Sequence, residues 1–202
     1  MMIRIFSVAL LSLVASAQTP AVKKLEAYLL LPEPSALRSE ISQPLGGGRK
    51  TVVTPAKETS EAPGLKHYTK EEFNRLGISL ETFAERARAA ADARLKTIMP
   101  EFIKDEKGKT RYAVFRSESS LIASLISAPS LASLFTKTFA GDVWAVLPDR
   151  HSLYIFPADP ELLAEFTDDL AQRYRSDPYA ASCEVFLIKP GEAPKAVATF
   201  SD

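Results

Sequence analysis

Apolar residues first recur at helical spacing just after residue 68. Thr69-Lys70-Glu71-Glu72 has the form of a capping box, with Phe73 and Leu76 behind it and Gly77 as a stop. Ser79 can cap a second helix. Its apolar stripe is Leu80, Phe83, Ala84, Ala87, Ala91, Leu95 and Ile98, and Pro100 ends it. Glu81, Glu85, Arg88, Asp92 and Lys96 fall opposite the stripe as a solvated face. Asp105 to Lys109 reads as a charged turn and Arg111 to Phe115 as a strand. Residues 119–136 hold no charge over eighteen positions. Six serines and the central Pro129 argue against a bilayer span there, and two short buried helices are predicted instead.

The clearest strand signal follows. Val143 to Leu147 and Ser152 to Phe156 flank Pro148-Asp149-Arg150-His151, which predicts a hairpin. Both runs are apolar on both faces, so central strands covered on each side are expected. Pro160 opens a helix whose inner side is Leu163, Phe166, Leu170 and Tyr174, with acids early and bases late as the helix dipole favours. Ser182–Lys189 and Lys195–Phe200 give two last strands. The fold class predicted is α+β: an antiparallel or mixed sheet with helices packed on it.

Composition changes how the first third of the chain reads. Residues 20–64 contain six prolines, four glycines and a single aromatic, Tyr28, whereas residues 65–202 hold sixteen of the eighteen aromatics. The expectation is therefore a Pro/Gly-rich, largely unstructured and flexible segment over 18–64, and a single α+β domain over 65–202. Within the segment, Ala27–Leu31 and Thr51–Thr54 can each add an edge strand to the domain. Gly46-Gly47-Gly48 reads as flexible linker, since no Lys-Ser/Thr follows it.

At the start of the chain, Arg4, an apolar run from Ile5 to Val14 and Ala15-Ser16-Ala17 have the form of a signal peptide over residues 1–17, cleaved after Ala17. This predicts a secreted or periplasmic product with no transmembrane span after cleavage.

Charge excludes one class of partner. The chain has 25 basic and 25 acidic side chains, without the basic excess of a non-specific nucleic-acid binder. The charge is uneven, at net +3 over residues 65–111 and net −6 over 140–188. A single cysteine, Cys183, excludes an intramolecular disulfide and Cys-rich zinc sites.

Several of these pieces together resemble the uncharacterised YtpQ-like family of bacterial proteins. They are Leu76-Gly77-Ile78-Ser79 with its helix, Ser117-Glu118-Ser119-Ser120-Leu121, the block from Gly141-Asp142 through Val143–Leu147 to Pro148-Asp149-Arg150, and Ser182 before a strand. The likeness spans roughly residues 67–189. It implies a fold and adds no established chemistry.

Candidate chemistry is sparse. The two histidines, His67 and His151, show no HExxH or related spacing, so no metal site, cofactor or catalytic set is predicted. Loops at the ends of rigid strands often carry binding groups, which makes Asp149, Arg150 and His151 the candidate binding residues. The alternative is that Asp149 and Arg150 serve only the turn and its neighbours. The leading expectation is a non-enzymatic exported binding or interaction module for a protein or envelope component. One alternative is a secreted hydrolase using His151 with a nearby serine or Cys183. Another is a structural envelope protein.

Overall fold

The computed structural model describes residues 25–62, 64–119 and 121–201, so the expected signal peptide lies outside the described residues. The fold is α+β, with two antiparallel sheets and several helices. None of the helices among the described residues is long and apolar enough to cross a membrane.

The larger sheet has six strands in the order β10-β9-β7-β8-β6-β5. They are β5 (Glu101–Lys104), β6 (Thr110–Arg116), β7 (Val143–Val146), β8 (Ser152–Pro157), β9 (Glu184–Ile188) and β10 (Lys195–Thr199). The β7–β8 hairpin forms as its sequence predicts, with Trp144 opposite Phe156 and Val146 opposite Tyr154. β8 and β7 sit centrally and are covered on both faces. Side chains alternate across the pleat, so Ala113, Phe115, Leu153 and Ile155 enter the main core while Val114, Tyr154 and Phe156 enter a second one. β5 is a short, mostly exposed edge strand that lacks an apolar signature of its own.

Helices α1 (Lys70–Asn74) and α2 (Leu80–Leu95) start where their caps stand. Thr69 Oγ1 accepts from Glu72 N, and Glu72 Oε2 accepts from Thr69 N, both at 3.1 Å. That backbone bond, with Lys66 and Lys57, holds the Glu72 carboxyl down at about 2. Ser79 caps α2, which buries Phe83, Ala87, Ala91 and Leu95. The uncharged stretch forms two 3-10 segments, Ile122–Ser127 and Ala132–Leu134, then the short α3 (Thr136–Phe139). Leu121 to Ile126 are all buried, as expected of a core segment. Helices α4 (Pro160–Ala164) and α5 (Thr167–Ser176) cover the second core, α4 capped by Asp159 with Pro160 in its first turn.

The first third of the chain departs from expectation. Described residues before 65 are not an unstructured tether, and no domain boundary falls at residue 65. Strands β1 (Leu29–Pro34), β2 (Gln43–Pro44), β3 (Thr51–Glu58) and β4 (Leu65–His67) form a second sheet around β3. Leu29, Leu31, Val52 and Ala56 are buried in it. The prolines fit because of where they lie. Pro32 and Pro34 are on β1, which pairs only with β3, so its outer N–H groups are dispensable. Pro55 falls where β3 exchanges β2 for β4 on its other side.

Three polar joints fix this sheet to the rest. The Arg49 and Lys50 amides donate to Glu184 Oε1 at 2.9 and 3.3 Å. Buried Thr51 and Ser182 hydroxyls meet at 2.6 Å. Arg150 donates to Glu33 Oε1 at 2.8 Å. The glycine run is a wrapped corner: Gly46 has φ of +59° and its carbonyl accepts from Ala196 N at 3.0 Å on the β10 edge. A Cβ on Gly48 would lie 2.3 Å from Glu184 Oε2, so a larger residue there would push that carboxylate away from the Arg49 and Lys50 amides.

Candidate functional site

The hairpin tip does not present its residues to a partner. Asp149 is buried, its Oδ1 accepting from His151 N at 2.8 Å and its Oδ2 from Ser152 Oγ at 2.7 Å. Arg150 points inward, its side chain 11% exposed, to Glu33, which is 1% exposed. Its guanidinium also lies 5.8 Å from the Tyr179 ring. His67 Nε2 completes the cluster at 3.2 Å from Glu33 Oε1. Burial pushes the Glu33 carboxyl up, but His67, Thr54 and Arg150 outweigh it and hold the group below its ordinary value. Two of the three tip residues proposed to bind a partner therefore serve the fold. Asp149 and His151 both border a shallow opening, and His151 is the less buried of the two, with its ring edge-on to Tyr179 at 5.8 Å.

Asp149, His151 and Ser152 border one depression together with Ser117, but no hydrogen bond joins the His151 ring to a serine or to Cys183 among the described residues. Ser152 donates to Asp149 directly, so no imidazole stands between them. Cys183 is 2% exposed, and burial pushes its thiol up, which disfavours the thiolate. Among the described residues, no group of three or more His, Cys, Asp or Glu side chains is placed to hold a metal ion.

A better-formed site lies beside the tip, between α5 and the face of the large sheet that carries the second core. Alternation along β6 places Tyr112, Val114 and Arg116 on this face, and along β8 Ser152, Tyr154 and Phe156. Tyr112 packs its ring 5.2 Å from Phe156 and 5.0 Å from Phe166, which leads into α5. α5 buries Leu170 and Ala171 and turns Asp169, Gln172 and Arg173 to the opening. The result is a groove of about 490 Å³ with an aromatic floor and a polar rim.

Two guanidinium groups dominate it. Arg116 lies over the Tyr154 ring at 5.6 Å and reaches its hydroxyl at 3.5 Å. Among the described residues no carboxylate lies within ion-pair distance of Arg116. Arg173 is about half exposed, 3.6 Å from Asp149 Oδ2, an acceptor already holding Ser152. Both arginines also line a neighbouring depression of about 410 Å³ together with Ser117 and His151. The two openings therefore meet at the arginine pair. Burial pushes the Tyr112 phenol above its ordinary value, so it is a neutral hydrogen-bond donor at neutral pH.

Neither arginine was singled out from the sequence. Arg116 closes an apolar strand and Arg173 sits in the basic last turn of a helix, where the dipole alone accounts for it. What marks them is spatial: residues 57 apart in sequence that line the same two openings. Comparison with models of known protein families, with curated proteins and with solved structures finds no match.

Proposed function

We propose that this chain is a non-catalytic binding module whose ligand is an anion on a small planar or apolar body, held between Arg116 and Arg173 with the body against Tyr112 and Phe166. The observation that carries this reading is the arginine pair at the meeting of two openings, with no carboxylate at ion-pair distance from Arg116 among the described residues and Glu101 acting on it only from further away. Guanidinium groups bind carboxylate and phosphate through paired hydrogen bonds, and an aromatic floor adds stacking area. Asp169 and Asp177 on the same rim disfavour a polyanion and limit the ligand to one or two charges. We propose further that the chain is exported after cleavage behind Ala17, where its partner is a protein or envelope component, and that its fold is that of the YtpQ-like family.

The test is a two-dimensional amide NMR titration with phenyl phosphate. The reading expects saturable shifts confined to β6, the start of β8 and α5, weakened by salt and absent with benzyl alcohol. Shifts elsewhere, or none at millimolar probe, overturn it. Export is checked by sequencing the amino terminus of the product recovered outside the cytoplasm, which should begin at Gln18.

A further inference from the structure

Helix α5 borders the arginine groove with an acid and a base one turn apart. Leu170, Ala171 and Tyr174 pack inward onto the second core. That leaves Asp169 and Arg173, at positions i and i+4, on the flank that lines the groove. Asp168 falls on the other flank, beside Arg175 and Phe200. An acid four residues before a base is the arrangement that pairs along a helix. Here that pair does not form. Arg173 Nη1 lies 3.6 Å from Asp149 Oδ2 instead, and the Asp169 carboxylate makes no hydrogen bond or ion pair among the described residues.

The groove therefore offers charge of both signs. Its charged side chains are Arg116, Arg173, Asp169 and Asp177, and they balance. Asp177 is committed, since its Oδ1 accepts from Tyr179 N at 2.7 Å. Asp169 remains as the open acceptor. Residues at this helical spacing have Cβ atoms about 5–6 Å apart, so an anion held by Arg173 also lies near the Asp169 carboxylate. A cation carried beside the anion turns that repulsion into attraction. A carboxylate and an ammonium on one carbon match the spacing. The floor next to them is aromatic, with the Tyr112 ring 5.2 Å from Phe156 and 5.0 Å from Phe166.

We propose that the groove binds a free aromatic α-amino acid, its carboxylate on Arg116 and Arg173, its ammonium on Asp169 and its ring against Tyr112 and Phe166. This rests on the reading of the arginine pair as an anion site and adds the group that selects the ligand. A residue inside a peptide does not qualify, because the peptide bonds consume both of its charges.

Calorimetric titration of the full chain at pH 7 tests it with three ligands that share one ring. Phenylalanine should bind saturably at one site. 3-Phenylpropionate, which keeps the carboxylate and lacks the amine, should bind about five-fold more weakly. Phenethylamine, which keeps the ammonium and lacks the carboxylate, should bind more weakly still. Asp169→Asn should erase the preference for phenylalanine over 3-phenylpropionate. Asp168→Asn removes the same charge from the same helical turn, with the same effect on the helix dipole, and should keep the preference. A wild type without the preference overturns the proposal. So does a preference that survives in Asp169→Asn, or one that Asp168→Asn removes equally. If the preference is absent while 3-phenylpropionate binds and is lost in Arg116→Ala, the amino-acid assignment falls and the arginine site stands. Binding of neither acid overturns both.

Discussion

Removing Arg150 should destabilise the fold because of what it leaves behind. Glu33 is 1% exposed, its Oε1 accepts from Arg150 at 2.8 Å, and its Oε2 has no hydrogen-bond partner. Arg150→Ala therefore strands a buried carboxylate, and breaking a buried pair in this way costs about 3–5 kcal/mol. His67 stays 3.2 Å away and retains part of the compensation, which places the loss near the lower figure, about 3 kcal/mol. For a chain of this size that is a fall in Tm of roughly 6–12 °C. The loss also has a pH signature. In the wild type the Glu33 carboxyl is held below its ordinary 4.5 in the folded state. Its contribution is thus present above 4.5 and fades as pH falls through the lowered folded value. Without Arg150, burial is opposed by less, the folded carboxyl moves upward, and protonation relieves the stranded charge. The deficit of the variant should therefore shrink as pH drops below about 5. Replacing both partners, Glu33→Gln with Arg150→Met, should come within about 1 kcal/mol of wild type at pH 7. Urea unfolding followed by circular dichroism at pH 7.0 and pH 4.0 measures all of this. A deficit under about 0.5 kcal/mol, or one equally large at both pH values, refutes the reasoning.

Other consequences follow from the same structure. Gly46→Ala combines a φ of +59° with a Cβ 2.4 Å from the Pro194 carbonyl oxygen, and should cost about 2–3 kcal/mol in the same unfolding assay, whereas Gly47→Ala, with open space around it, should cost about 1 kcal/mol. Limited trypsin digestion should spare Lys57 within β3 and Lys50 just before it, whose amide and ammonium bond to Glu184 and the Ser201 carbonyl. Rapid cutting at either one would restore the view of this region as a tether. Cys183 should react with a thiol reagent only after unfolding; stoichiometric labelling of the native protein at pH 8 would contradict its burial. Burial and the neighbouring Cys183 push the Tyr174 phenol up to about 12, so ultraviolet titration should show a late ionisation step that Tyr174→Phe reduces by one tyrosine.

Where periodicity and caps were local, the sequence was readable. Thr69 and Ser79 start helices because their side chains accept the first orphan amides, and Pro160 opens α4, all of which depends on a few residues only. The β7–β8 hairpin was legible for the same reason. The first sheet was legible only in part: Ala27–Leu31 and Thr51–Thr54 overlap β1 and β3, but that they pair with each other in a second sheet rests on long-range evidence. Pro32 and Pro34 look like breakers until β1 is known to be an edge, and Gly46 to Gly48 look like slack until Glu184, more than 130 residues later, is seen inside their curve. β5 is mostly exposed and carries no alternation to detect. The candidate site was half legible. The tip residues Asp149, Arg150 and His151 read as a binding group, whereas Arg150 is a clamp onto Glu33 of a strand that composition assigns to linker. Arg116 and Arg173 are ordinary in sequence and become a pair only when α5 lies across β6 and β8.

The arginine pair is the part of the account on which the functional reading rests, and a double-mutant cycle reads it most directly. Phenyl phosphate affinity would be measured by calorimetry for the wild type, Arg116→Ala, Arg173→Ala and the double variant, at one fixed salt concentration. One anion shared by both guanidinium groups predicts about ten-fold or greater weakening for each single variant and a double variant that departs from the sum of the two by at least about 0.5 kcal/mol. Affinity unchanged by either substitution would contradict the assignment of the groove as the ligand site.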